Sequence, residues 1–233
     1  MKWALAMKKE MAQSREPLRI ARVAAAMLAV ALAAGCTGNL LQSDSPVPDT
    51  FRLTSAPPAA AADVSPLPLA VVVQRPRATA ALDTDRIAIS AAGNRFEYYS
   101  AALWAEPAPQ MVQQQLVSAL AATGQFGGGV FAAPARVPAE LLLDVELRRF
   151  EAVTASANAA SSSAAPVVHV QVQASLIDTR RSVRVTSFVA AAEIPATENR
   201  LTAVIAAFER ANAQVMSEVA AKAQAAAVSL PKL

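Results

Sequence analysis

The chain has 233 residues but only one cysteine, Cys36, and one histidine, His169. A single cysteine excludes an intramolecular disulfide. A single histidine excludes any site that needs two imidazoles from one chain. Glycine is sparse, and its one run, Gly127-Gly128-Gly129, is followed by neither a Gly-Lys-Ser/Thr step nor a GxGxxG fingerprint. That run reads as a flexible turn before Val130 rather than a phosphate cradle. Aromatics make up only 5% of the chain. After the first 35 residues no apolar run reaches the length of a membrane span, which argues against a polytopic membrane protein.

What is abundant is alanine. Of the 233 residues 57 are Ala, so the 54% hydrophobic content is largely small-residue filler. The charge is also unevenly placed. Residues 1–35 hold six basic and two acidic residues, which leaves 15 basic and 16 acidic in 36–233, a net charge of −1. The high pI belongs to the front segment, and a nucleic-acid partner loses its electrostatic basis.

That front segment has three parts. Residues 1–22 are basic and irregular, and residues 23–34 (VAAAMLAVALAA) are apolar. The small residues Ala33-Ala34-Gly35 then precede Cys36. A charged start, a short apolar stretch and a small-residue cleavage site make a secretory signal. The Cys just beyond resembles a bacterial lipobox, although Ala33 stands where Leu is usual. The resemblance implies a diacylglyceryl thioether on Cys36 and removal of residues 1–35. Thr37, in place of an inner-membrane-retaining Asp, implies an outer-membrane address.

Residues 36–66 read as an acylated N-terminus and flexible linker, with a short strand near 51–54. Residues 67–228 read as a single α+β domain. Strands are expected over 67–73, 86–91, 95–104, 141–151, 167–177 and 182–194, from apolar alternation and β-branched runs. Gly93-Asn94 suits a two-residue hairpin. The phase break at Arg149-Phe150 hints at a bulge. Residues 152–166, rich in Ala and Ser, read as a loop. Helices are expected over 107–123, entered through Pro107 and Pro109, and over 198–227, capped by Thr197 with Glu198 in the first turn. The resulting fold class is α+β, a mostly antiparallel sheet with two amphipathic helices packed on one face.

No motif asks for a cofactor, a metal or a catalytic constellation. His169 falls on the polar side of its strand with no ligand-spaced neighbour. Ser161-Ser162-Ser163 lacks a nucleophile elbow. Asp83 and Asp85 read as shaping the start of a strand. Two groups invite a binding role. Arg180 and Arg181, with Arg184 nearby, form a basic cluster at a hairpin tip, suited to an acidic partner or a lipid headgroup. Tyr98, Tyr99 and Trp104 concentrate the chain's few aromatics. Tyr98 and Tyr99 point to opposite faces, so one is expected in the core. The other is expected to join Trp104 in a surface for a partner or for a second copy of the chain.

The order of these pieces resembles a known family. Asp83-Thr84-Asp85-Arg86-Ile87, Glu97-Tyr98-Tyr99, Trp104-Ala105-Glu106-Pro107 and Gln110-Met111 come before the apolar stripe of the first helix. Leu147, Phe150, Ala207, Phe208 and Ala211 follow. Over roughly residues 36–220 the chain is similar to the ABC-type transport auxiliary lipoproteins, the PqiC-like group. The resemblance implies a periplasm-facing, non-enzymatic lipoprotein that accompanies an MCE-type (mammalian cell entry) ABC system moving lipid between inner and outer membranes. The alternatives are a lipoprotein of outer-membrane assembly or secretion, and a lipid-anchored hydrolase. Acyl chains would hold the protein in the outer membrane, and self-association stays open.

The lipobox generates a direct test. Cys36→Ser should accumulate as unprocessed, unacylated precursor, read by intact mass; normally lipidated protein from that variant would rule the anchor out.

Overall fold

The computed structural model describes residues 47–54, 65–91, 95–154 and 164–230. Cys36, the Gly93-Asn94 turn, Ser161-Ser162-Ser163 and most of the Ala/Ser-rich stretch lie outside the described residues. In chain order the elements are β1 (Asp49–Phe51), β2 (Ala70–Val73), β3 (Arg77–Ala78), β4 (Arg86–Ala91) and β5 (Arg95–Trp104). Then come α1 (Ala108–Ala122), β6 (Gly129–Ala132), β7 (Leu141–Val153), β8 (Val167–Asp178), β9 (Val183–Pro195) and α2 (Leu201–Val228).

The sheet is organised on β7. One edge of β7 pairs along its whole length with β8, antiparallel, and β8 pairs in turn with β9. The other edge carries three short strands in succession, all parallel. β2 sits at Leu141–Leu143, β3 at Glu146–Leu147 and β4 at Glu151–Val153. β4 extends the sheet through antiparallel β5 to parallel β1, and β2 extends it to parallel β6. The fold is α+β with a mixed sheet in which the long antiparallel ladders dominate.

Alternation explains which face is buried. On β7, Leu141, Leu143, Val145 and Leu147 are buried, all odd-numbered, and then Phe150 and Ala152, both even. The register slips between Leu147 and Arg149. One extra residue keeps both halves of the strand facing the same core. The bulge thus falls one residue before the Arg149-Phe150 phase break. On β8 the buried set is Val168, Val170, Val172, Ala174 and Leu176.

Both helices cover this face. α2 packs on β8 and β9, and α1 packs on β6, β2 and α2. α1 buries Met111, Val112, Leu116, Ala119 and Leu120 at helical spacing. Gln113, itself buried, donates through Nε2 to the carbonyls of Val73 and Ala133, both at 3.0 Å, and fixes α1 over the ends of β2 and β6. α2 buries Phe208, Ala211, Val215, Val219 and Ala223 in one stripe. Beneath it β9 presents Ala190 and Ala192. Small residues on both sides let helix and sheet approach closely, which is the use the fold makes of its alanine. Two α2 cations reach over the outer strand: Lys222 Nζ donates to the Val189 carbonyl at 3.3 Å and Arg210 to that of Pro195 at 3.2 Å. Capped carbonyls blunt an edge that would otherwise invite pairing.

Four details differ from the expectations drawn from the sequence. The helix after β9 starts at Leu201, with Arg200 rather than Thr197 in the capping position and no side-chain cap. The core-facing positions from Ala203 onward, not the cap, set its start. β7 runs on to Val153 because β4 supplies a partner there. The glycine run is tightly packed rather than loose. A Cβ on Gly128 would lie 2.6 Å from the Ala70 nitrogen, and Gly129 holds φ +97°. Glycine there lets this segment lie against the backbone before β2. Finally, the segment before Leu67 contributes structure. β1 joins the sheet, Thr54 Oγ1 donates to Glu209 on α2 at 2.9 Å, and Gln115 on α1 donates to the Leu53 carbonyl at 3.2 Å.

The three largest fully buried side chains are Trp104, Phe150 and Phe208, from β5, β7 and α2. Their ring centroids lie 5.1 to 5.7 Å apart. Edge and tilted contacts of this kind contribute about 0.5–1.5 kcal/mol each beyond burial. Phe208→Ala should therefore cost about 3–5 kcal/mol of stability, whereas Phe96→Ala, at a 39% exposed position, should cost much less. Denaturant unfolding of both variants checks this, and equal losses would contradict the assignment of the core.

Candidate functional site

The Asp83–Ile87 motif is a structural junction. Arg75 and Asp83 form a two-pronged ion pair, with Nη2–Oδ1 at 2.6 Å and Nη1–Oδ2 at 3.1 Å. The Arg75 hydrogen bonds hold the Asp83 carboxyl below the usual carboxylate range. The Asp85 carbonyl accepts the Trp104 N–H at 2.6 Å, and the Thr84 carbonyl accepts the N–H of Ala108 at the start of α1 at 3.1 Å. The motif thus ties the start of β4 to the end of β5 and to α1.

The aromatic segment divides differently from the expectation. Trp104 is 2% exposed, packed between Phe150 and Phe208. It presents no surface to a partner, because the sheet's turn toward α1 places it under α2. Its Nε1 has no hydrogen-bond partner among the described residues, an orphaned donor of the kind that costs about 1–3 kcal/mol. Tyr98 and Tyr99 are both half-buried and both pack against the core, so neither is purely core nor purely exposed. Burial pushes the Tyr99 hydroxyl up from its ordinary value. Tyr98 donates its hydroxyl to the Ala81 carbonyl at 3.0 Å. The Arg86 guanidinium carbon lies 3.9 Å from the centre of its ring, and Phe96 meets it edge-on with centroids 5.6 Å apart. Arg86, Tyr98 and Phe96 therefore form one ordered stack on the β4–β5 arm, with Phe96 outermost. Alternation along β5 puts Phe96 on the same face as Tyr98; the pairing with Arg86 comes from the neighbouring strand.

Arg180 and Arg181 sit where expected, at the β8–β9 tip. Asp178 Oδ1 accepts both their backbone N–H groups at 3.0 Å, and Ser182 takes φ +54° to close the turn. Thr179 ties the tip down, donating its hydroxyl to the Ala139 carbonyl at 2.6 Å. Arg181 Nη1 lies 3.6 Å from Asp178 Oδ2. Arg180 has no acidic side-chain partner among the described residues. The two cations are held on a rigid turn, not a mobile one.

A third group escaped the sequence because it runs across strands. Glu151, His169 and Glu193 are lateral neighbours on β7, β8 and β9. His169 Nδ1 is 3.0 Å from Glu193 Oε1 yet makes no hydrogen bond. Glu151, 8% exposed, accepts Arg149 Nε at 2.8 Å and the Ser90 hydroxyl. Ser90 therefore donates to a carboxylate, not to an imidazole as an activated serine would.

The comparisons name the family. The model for the ABC-type transport auxiliary lipoprotein component matches residues 51–220, and this chain belongs to that family. No curated protein matches. Among solved structures, a protein from Xanthomonas campestris is similar with TM-score 0.68 at 22% identity, over 77% of this chain and 96% of that one. An uncharacterized protein follows at TM-score 0.54 and 13% identity, over 76% and 99%. Both likenesses bear on the fold alone. A PelC dodecamer from Paraburkholderia phytofirmans, at TM-score 0.39 and 16% identity over 70% and 92%, is too distant for its assembly to bear on this chain. Among the described residues no helix is long and apolar enough to cross a membrane.

The cross-strand row generates a pH test. Burial first, then Arg149, holds the His169 imidazole below its ordinary 6.5, against the opposing pull of Glu193 and Glu151. As pH falls through 6.5 the unfolded chain binds a proton that the folded chain refuses, so acidification destabilises the fold. Wild type should lose stability over the window just below pH 6.5, and His169→Gln should lose less. Equal slopes in urea titrations across that window would refute the assignment.

Proposed function

We propose that this chain is an outer-membrane lipoprotein facing the periplasm, and that it serves as an accessory, non-catalytic component of an MCE-type ABC lipid transport system. The observation that carries the reading is the family match, which runs from the last residue of β1 through most of α2. Acylated Cys36 would fix one end. Eleven residues, 36–46, separate it from the described fold, and fully extended they reach at most about 40 Å. The domain then works close to its membrane and meets the transporter by docking.

Two surfaces suit that role. The stack of Phe96, Tyr98 and Arg86 offers a preformed aromatic and cationic face. The tip with Arg180 and Arg181 offers fixed positive charge for an acidic partner. Aromatic and arginine side chains that are already ordered lose little freedom on binding. Self-association through the same face is the competing use of this surface, and it would show as a change in oligomeric state.

The test is co-purification of the full-length tagged chain with the MCE-domain subunit from membranes. Phe96→Ala and Tyr98→Ala should weaken that association by about 2 kcal/mol, roughly thirtyfold, while the melting temperature of Phe96→Ala stays near wild type. Recovery of outer-membrane assembly or secretion proteins in place of the MCE subunit would overturn the reading.

A further inference from the structure

The β8–β9 tip closes one side of a cavity of about 440 Å³. Its walls are Leu67, Leu69 and Leu141 from the strand ends, and Val228 and Leu230 from the end of α2. Arg180 and Arg181 line it as well. Ligand cavities run from roughly 300 to 1,000 Å³. At about 440 Å³ this one falls in the lower part of that range, the size of a single small ligand.

The charge at the cavity is not balanced in use, although it is balanced in number. Glu140 and Asp178 also line it. Glu140 Oε2 accepts the Ala70 N–H at 2.9 Å, and Asp178 Oδ1 accepts the N–H groups of Arg180 and Arg181. Asp178 Oδ2 faces Arg181 at 3.6 Å. Both carboxylates are thus engaged by their own chain, and Arg180 is left without an acidic partner among the described residues. An apolar chamber lined by an arginine side chain that no carboxylate engages among the described residues suits a molecule with one aliphatic tail and one anionic head. A free phosphate would leave the leucine wall unused, and a neutral hydrocarbon would leave Arg180 unused.

We propose that this cavity binds an anionic single-chain amphiphile, of the fatty-acid type, with its tail between Leu69, Leu141 and Val228 and its head on Arg180, supported by Arg181. This site does not depend on which transporter the chain serves.

The test uses the full-length chain purified in detergent and a palmitate carrying a mid-chain diazirine, with the corresponding diazirine alcohol as the uncharged probe. Light should label the walls of the cavity, and excess unlabelled palmitate should compete. The alcohol should label more weakly than the acid. Val228→Trp, at a 59% exposed position, should block labelling without lowering the melting temperature. Arg180→Glu should weaken the apparent affinity for palmitate about tenfold and leave the alcohol unchanged. Label scattered over the surface, label retained in Val228→Trp, or equal labelling by acid and alcohol would each overturn the site. So would labelling that appears only when residues 231–233 are deleted, since the chain's own C-terminus would then be the occupant. No partner subunit is present in this experiment, so its failure is distinct from failure of the transporter reading.

Discussion

β7 is the strand on which the rest of the fold depends. Its antiparallel partner β8 fixes one edge from end to end, and β2, β3 and β4 share the other. Every route from β9 to β1 or β6 therefore crosses this strand. A strand so placed must keep one face in the core over 13 residues, and a flat alternation would do so only with one parity throughout. The slip between Leu147 and Arg149 changes the parity midway. It brings Phe150 under α2, while Arg149 and Glu151, two residues apart on the same strand, pair with each other. Without that extra residue Phe150 would turn to the solvated face, and Trp104 and Phe208 would lose the third ring of their cluster.

The second constraint is volume. A chain with few aromatics builds its core in two ways. Near the middle of β7 it spends three large rings in one place. Under the rest of α2 it uses small and medium residues, Ala211, Val215, Val219, Ala220 and Ala223 on the helix and Ala190 and Ala192 on β9. Close approach of small residues preserves packing density without bulk. The high hydrophobic content is thus neither a membrane signal nor idle filler. It is the condition for laying a 28-residue helix flat on two strands.

Much of this was legible from the residues. Period-2 runs located β4, β5, β7, β8 and β9, and period-3.6 stripes located both helices, because each buries one face against a continuous core. The parallel joins of β2, β3 and β4 to β7 were not legible. Parallel pairing leaves no local turn signal, since its partners are tens of residues apart. Trp104 was placed on the surface from its company with Tyr98 and Tyr99. The register of β5 against β4 jumps between Arg86 and Ala88, so spacing within β5 does not fix which way its last residue faces. The Glu151–His169–Glu193 row was invisible for the same reason: lateral neighbours on three strands share no spacing in the sequence. Arg180 and Arg181 were legible as a tip because Asp178 is a turn residue, but the cavity behind them needed the end of α2 and the segment before β2.

The same topology separates the two exposed surfaces. The Phe96–Tyr98–Arg86 stack stands beside the end of β7 near Glu151, since Tyr98 pairs with Ala88 and Ala88 with Glu151. The Arg180–Arg181 tip stands at the other end, where Asp178 pairs with Leu141. Ten residues of strand lie between those levels, about 30 Å at 3.3 Å per residue. Groups that far apart without shared contacts act independently. A partner held by the aromatic stack alone would leave the tip and its cavity open, and a molecule seated behind Arg180 would leave the stack unchanged. Were both proposals to hold, a protein contact and an amphiphile would occupy opposite ends of β7.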